Sequence, residues 1–324
     1  MLSSSDLRHD ARSVVSDAER GFHHQTLFYS GEAGFVRGTL PFIAEAIAAG
    51  EAVRVAVGGT RIAQLRDALG VDAERVSFAD MSELARNPAR LIPVWHQFLE
   101  EHEGQPVRGV SESIWPGRSA AELTECERHE SLMNLAFDGG RTWRLLCLYD
   151  LDGLDEEAIE AAGRSHPFTT SDDGYRRSET YLGEGDAPGP FDGPLPAPPS
   201  DPTEVSFAGA DLAPVRGRVR DWSAGTRLDD ERAERLILAV NELATNSVRH
   251  GGGGGLLLMW TEAETAVCEV RDAGRIEEPL VGLRRPSPDR PSGRGLWLVN
   301  QVCDLVQIRS AQSGTAVRIQ LRSV

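Results

Sequence analysis

The sequence predicts two α/β domains of different architecture, and three observations carry that reading. Over the first half of the chain, short apolar runs alternate with amphipathic helical patterns, which is the signature of a mainly parallel sheet. A proline-rich stretch with few apolar residues then interrupts both periodicities, and beyond it helices and strands come in blocks, as in an antiparallel or mixed sheet with its helices on one face. The 324 residues, 40% of them hydrophobic, suffice for two ordinary cores, since chains beyond about 250 residues generally divide into domains.

In the first domain, residues 20–182, the runs TLFYS, EAVRVAVG, RVSFAD, VRGVSES and WRLLCLYDL read as strands rich in Val, Leu and Cys. Between them, GFVRGTLPFIAEAIAAG, TRIAQLRDALG, ARLIPVWHQFLEEHE and ECERHESLMNLAF read as helices. The alternation implies right-handed βαβ crossovers. Nothing before residue 20 reads as more than a short polar helix. Residues 183–204 take in all but the first residue of LGEGDAPGPFDGPLPAPPSDP, whose seven prolines preclude a regular ladder and stiffen the chain towards polyproline II. This segment is expected to space the domains apart. The second domain, residues 205–324, starts with a helix over 228–250, followed by a glycine run, the strands LLLMWTEA and TAVCEVRDA, and a loop rich in Pro and Arg. A helix GRGLWLVNQVCDLV and two closing strands complete it.

Composition removes several function classes. A net charge of −16 argues against direct nucleic-acid binding, because phosphate backbones are held by clustered basic residues. Every Lys or Arg position is arginine, so there is no lysine for a Walker-type phosphate loop or for Schiff-base chemistry. No apolar run approaches the roughly 18 residues of a membrane helix, and the opening MLSSSDLRHDARSV lacks an apolar signal-peptide core, so a cytoplasmic protein is expected. Cys126, Cys147, Cys268 and Cys303 are far apart and read as small core residues. His23, His24 and His166 are scattered, and no metal site is expected among them.

Chemistry concentrates in the second domain. On the 228–250 helix, Glu242 and Asn246 stand one turn apart, so a carboxylate that can take a proton and an amide oxygen that can bind Mg²⁺ share a face. The strand CEVRD ends on Asp272, which can accept from an exocyclic amine, and Gly274 follows it. Gly293 and Gly295 flank Arg294 at a helix start, where free backbone amides and the helix dipole favour phosphate without lysine. Gly314-Thr315 opens the last strand, and Thr315 can close a base pocket with its hydroxyl.

Taken in order, ELATNSVRHG, VRDAG, GRGLWLV and GTAVR resemble the N, G1, G2 and G3 boxes of the GHKL ATPase superfamily, most specifically the anti-sigma regulatory serine kinases. The resemblance covers the whole second domain and implies the Bergerat α/β sandwich, with ATP and Mg²⁺ as ligands. It makes Glu242 the general base, Asn246 the Mg²⁺ ligand, Asp272 the adenine-recognising carboxylate, Gly274, Gly293, Arg294 and Gly295 nucleotide-loop positions, and Thr315 a base-pocket contact. The G1 box departs from the family pattern, since Arg275 and Ile276 stand where a second glycine often follows Gly274. The lid, residues 275–292, carries Arg284, Arg285 and Arg290, read either as solvated or as charge for the γ-phosphate. The glycines at 251–255 read as a helix C-cap and flexible connection, and His250 as a structural residue.

Sensor histidine kinases share this ATP fold but carry a helical hairpin with an exposed histidine before it. Here that place is occupied by the proline segment, and His129-Glu130 lies between strands of the first domain. The resemblance therefore implies a serine kinase acting on a STAS-type anti-anti-sigma protein and sequestering a sigma factor, and it allows a homodimer. A catalytically silent ATP-gated binding module is the alternative, with a sensor histidine kinase-like protein behind it.

In the first domain, FYSGEAGFVRGTLPFIAEAIAAGEAVRVAV, ESIWPGR, ECERHESLMNLAF and LLCLYD resemble the MEDS sensory domain, whose layout is similar to the RecA and KaiC core. The 29–39 loop would then stand where a phosphate loop stands, without its G-K-[ST]. A small-molecule pocket at the carboxyl ends of the strands is expected instead, with Glu112, Trp115, Arg118, Glu130, Asn134 and Asp150 implied as its residues.

Overall fold

The computed structural model describes residues 21–171, 174–183, 189, 191–209, 212–286 and 293–323. Its first sheet contains β1 (Phe22–Tyr29), β2 (Ala52–Val57), β3 (Val76–Asp80), β4 (Val107–Ser111), β5 (Trp143–Asp150), β6 (Phe168–Ser171) and β7 (Gly174–Arg177) in the order β3-β2-β4-β5-β1-β6-β7. All neighbouring pairs are parallel except the β6–β7 hairpin. The central strands are buried on both faces, which is why they read as continuous apolar runs rather than alternating ones.

Helices cover both faces. On one side, α1 (Gly31–Ala48) and α2 (Gly59–Leu69) bring Phe35, Phe42, Ile43 and Leu65 against Val55, Leu146 and Leu148. On the other, past the single turn α3 (Met81–Leu84), α4 (Leu91–Glu101), α5 (Ala120–Phe137) and α6 (Glu156–Ser165) set Trp95, Phe98, Met133 and Ala162 against Leu145, Cys147 and Tyr149. The alternation of β5 between these two cores is the period-2 rule of a strand. Helix α5 starts with a full capping box, Ser119 exchanging hydrogen bonds with Glu122. Because α1 starts at Gly31, the 29–39 segment is helix almost throughout, with no loop long enough to cradle a phosphate.

The second sheet is antiparallel, in the order β11-β12-β10-β9-β8. Its strands are β8 (Thr203–Ala208), β9 (Gly254–Glu262), β10 (Thr265–Asp272), β11 (Leu305–Ala311) and β12 (Gly314–Arg322). One face carries α7 (Ala213–Ser223), α8 (Asp230–His250) and α9 (Arg294–Val302). Leu236, Val240 and Leu243 of α8 form the stripe that packs on Leu257, Cys268, Val270 and Ile319. All four cysteines are free and buried, as small core residues should be.

The proline segment does not hold the domains apart. Its backbone is fastened along the way: Ser310 N–H donates to Phe191 O (3.2 Å), Arg128 to Asp192 O (2.6 Å) and Arg318 to Pro196 O (2.6 Å). The two sheets dock through α5 and through the 3-10 turn Pro88–Arg90. Glu125 accepts from Arg309 at 2.7 Å, Glu122 pairs with Arg322 at 2.8 Å, and the buried Asn87 amide donates to Asn300 O at 3.0 Å. Leu280 and Leu283, from the loop after β10, belong to the first domain's core. Among the described residues no helix is long and apolar enough to cross a membrane.

Candidate nucleotide site

The elements of the second sheet enclose a cavity of about 330 Å³ between α8, the ends of β10 and β12, and the start of α9. This is within the few hundred Å³ typical of small-ligand sites. Leu243, Val270, Ile276, Val281, Leu296 and Val317 supply apolar walls, and Asp272 and Asn246 supply polar ones.

Asp272 is the best-fixed side chain in it. Antiparallel register pairs it with Thr315 across β10 and β12. Its Oδ1 accepts the Gly274 amide at 2.8 Å and its Oδ2 accepts the Ser247 hydroxyl at 2.6 Å. An ionised carboxylate offers about four acceptor positions, so these bonds hold it in place while leaving capacity for a ligand amine. The carboxylate can come so near the helix because residue 251 has no side chain: a Cβ there would lie 2.6 Å from Oδ1. Gly251, which also ends α8, is thus a close-approach glycine, a role beyond the flexible connection read from the sequence.

Thr315 joins a short relay. It donates to Gly274 O at 2.9 Å, accepts from Ser310 at 2.8 Å, and the Ser310 oxygen in turn accepts the Ile276 amide at 2.8 Å. The relay secures the start of the lid where the second glycine of the G1 box is missing. Ser247, Gly251 and Ser310 were not singled out by sequence reasoning. Ser247 could have been, since it continues the 236, 240, 243 apolar stripe of α8 with a hydroxyl and is buried there.

At the other end of the cavity, Gly293 caps α9 in left-handed backbone, φ 89°. Gly295 lies against α8: a Cβ at this position would stand 3.0 Å from Glu242 Oε2 and 3.3 Å from Asn246 Nδ2. Glu242 and Asn246 therefore both face the first turn of α9, with Asn246 on the cavity wall and Glu242 beside it. Arg294 is the first residue of α9. Arg284 and Arg285 instead line a separate cleft between α4 and α9 with Arg90, His96 and Trp297. That location does not bring them to the nucleotide cavity. Arg290 lies outside the described residues.

The six residues implied for a sensor pocket fall into three places. Glu112 and Asp150, at the carboxyl ends of β4 and β5, share Arg61, each 2.9 Å from the guanidinium, and Tyr29 donates to Glu112 at 2.9 Å. Burial pushes the Glu112 carboxyl above its ordinary range, and Arg61, Tyr29 and the Gly58 amide oppose that rise. Arg118 stacks on Trp115 at 3.7 Å and donates to Ser113 O and Ala85 O at 2.8 and 2.9 Å, so it ties these loops together. Glu130 and Asn134 project from α5 onto His24, which is drawn together with His166 and Cys147. Two of the three histidines scattered in the sequence are therefore neighbours in the fold, with the His24 and His166 rings 3.9 Å apart, whereas His23 meets Tyr175 and Phe168.

Comparison with known families accords with this geometry. Residues 23–167 match the MEDS family, the methanogen/methylotroph DcmR sensory domain, and residues 205–321 match the histidine kinase-like ATPase domain family. The chain is a MEDS sensory domain fused to a GHKL-type, histidine kinase-like ATPase domain. Among solved structures, the RsbU and RsbW domains of Rv1364c from Mycobacterium tuberculosis are 19% identical over 64% of this chain and 49% of that one, with a TM-score of 0.29. Acinetobacter baumannii histidine kinase AdeS is 14% identical over 37% of this chain and 68% of that one, with a TM-score of 0.24. The chain thus spans about half the length of the first of these. No curated protein matches it.

Proposed function

We propose that the protein is an ATP- and Mg²⁺-dependent serine kinase of the anti-sigma-factor type, which phosphorylates a STAS anti-anti-sigma partner and sequesters a sigma factor under control of its first domain. The observation that carries this reading is Glu242, a carboxylate held against the first turn of α9 at Gly295. A site that only bound nucleotide would have no use for a base on the phosphate side. Adenine would lie between Ile276, Val270 and Leu296 with its amine on Asp272. The phosphates would extend towards the N-terminal end of α9, where the helix dipole favours negative charge.

The transfer follows from these positions. The acceptor hydroxyl would approach along α9, Glu242 would take its proton, and Gly293, Arg294 and Gly295 would hold the terminal phosphates in line. Asn246 is the residue to give Mg²⁺ an oxygen, and the ion would neutralise charge spread over the phosphate oxygens. Control by the first domain has a physical route, because Leu280 and Leu283 of the lid are seated in that domain's core. Rearrangement there, including at Glu112 and Asp150, would move the wall that carries Val281.

The test is incubation with Mg²⁺, labelled ATP and STAS-domain proteins, comparing wild type with Glu242→Gln. Acid-stable phosphate on the partner, reduced at least 100-fold in the variant, supports the reading. Intact nucleotide binding with no transfer to any such partner favours the silent binding module.

A further inference from the structure

Four side chains from β1, α5, β5 and the residue ending α6 converge in the first domain: His24, Glu130, Cys147 and His166. All are buried, and one donor atom from each lies within 4.8 Å of the others. Four of the separations are His24 Nε2 to Glu130 Oε2 at 3.1 Å, Cys147 Sγ to His24 Nε2 at 3.3 Å, and His166 Nε2 and Cys147 Sγ each 3.6 Å from Glu130 Oε2. Tetrahedral ligands at bond lengths of about 2.0–2.3 Å stand roughly 3.3–3.7 Å apart, so the cluster has nearly the dimensions of a four-ligand site before any ion enters.

The surrounding hydrogen bonds say which atoms face inward. Asn134 Nδ2 donates to Ser165 O at 2.7 Å, which turns its Oδ1 to His24 and makes His24 Nδ1, at 3.1 Å, the donor. His166 Nδ1 is 2.8 Å from Ala162 O, an acceptor only, so that nitrogen also carries hydrogen. In the neutral rings both Nε2 atoms then present lone pairs to the same carboxylate oxygen. His166 Nε2 is buried with no hydrogen-bond partner. The thiol of Cys147 has one hydrogen, which cannot satisfy two imidazole lone pairs and a carboxylate together. Glu130 is aimed from behind, its other oxygen accepting from Ser113. Outer partners of this kind, on the far nitrogen of each histidine and the far oxygen of the carboxylate, are how metal ligands are commonly oriented.

We propose that His24, Glu130, Cys147 and His166 form a buried binding site for a divalent transition-metal ion of the zinc class. Two imidazoles, one thiolate and one carboxylate suit zinc or cobalt, whereas magnesium and calcium require oxygen donors. Binding forms the metal–sulfur bond as the Cys147 S–H proton is released to solvent. With all four ligands inside the core, no position is left open for substrate, so the ion acts on the fold and not on a reaction. Its effect reaches the second domain through α5. Glu130 stands eight residues from Glu122 and five from Glu125 on that helix, and those two carboxylates hold Arg322 and Arg309.

The experiment uses the full chain, stripped with chelator and free of nucleotide, titrated with Co²⁺. The expected result is one equivalent bound, with absorption bands of tetrahedral cobalt and a thiolate-to-metal charge-transfer band. Cys147→Ser, close to isosteric, loses the charge-transfer band, and His166→Gln or Glu130→Gln weakens affinity at least 10-fold while far-ultraviolet circular dichroism stays that of wild type. Uptake well below one equivalent by the wild-type chain would overturn the proposal. So would a spectrum of the oxygen-ligand, octahedral type, or one unchanged in Cys147→Ser.

Discussion

A methyl group added at Gly251 would occupy space that the Asp272 carboxylate already fills, and the conflict is local because the backbone there, φ −99°, suits any residue. Gly251→Ala is therefore expected to reduce ATP affinity at least 10-fold, measured by calorimetry, while costing no more than about 1–2 kcal/mol in unfolding free energy. Glu112 allows a test by pH. Its carboxyl is already raised by burial, and Arg61→Met removes the charge that opposes the rise. A folded-state pKa above the unfolded one favours the native state at low pH and loses that advantage as pH rises through the folded value. The variant should thus be about 2–3 kcal/mol less stable than wild type near pH 8, and the deficit should shrink towards about pH 5. A deficit that grew on acidification would contradict this account of the Glu112 environment. Much of this scale was legible in the sequence, because Asp272, Gly295, Glu242 and Asn246 sit at element ends or at helical spacings that sequence displays directly. Gly251 and Ser310 were not, since their significance lies in what crosses from a neighbouring element.

At the scale of elements, the strands β1 to β5 and the helices α1, α2, α4, α8 and α9 follow the hydrophobic periodicities closely. Helix α7 escapes them because its arginines, glycine and proline blur the apolar stripe of Val215 and Val219. The β6–β7 hairpin escapes them because the residues of β7 are exposed. Helix α5 illustrates a different limit. Its mixed faces look like a poor amphipathic helix because one side meets the histidine cluster and another meets the second domain. The loop after β10 can be probed at Leu283, buried in the first domain's core. Leu283→Ala should cost about 2–4 kcal/mol and speed nucleotide release in stopped-flow measurements, since the same loop walls the cavity at Val281. Unchanged release would separate the lid from the first domain.

For the molecule as a whole, the docking of the two domains was the feature least legible in the sequence. Asn87 with Asn300, and Glu125 with Arg309, are contacts between residues far apart in the chain, each of which reads alone as ordinary surface. The proline segment invited the opposite expectation, because composition reports stiffness and not what a segment lies on. Removing one partner of a buried ion pair leaves the other charge uncompensated, so Arg309→Ala should cost about 3 kcal/mol. It should also split one calorimetric unfolding transition into two, as the domains lose their shared contacts. The account as a whole rests on the cavity between α8, β10, β12 and α9 being the adenine-nucleotide site. The most direct measurement is an ATP titration of wild type against Asp272→Asn, both checked for folding by circular dichroism. Saturable binding by wild type that is weakened at least 10-fold in the variant is the predicted result, and equal affinity in the two proteins would contradict it.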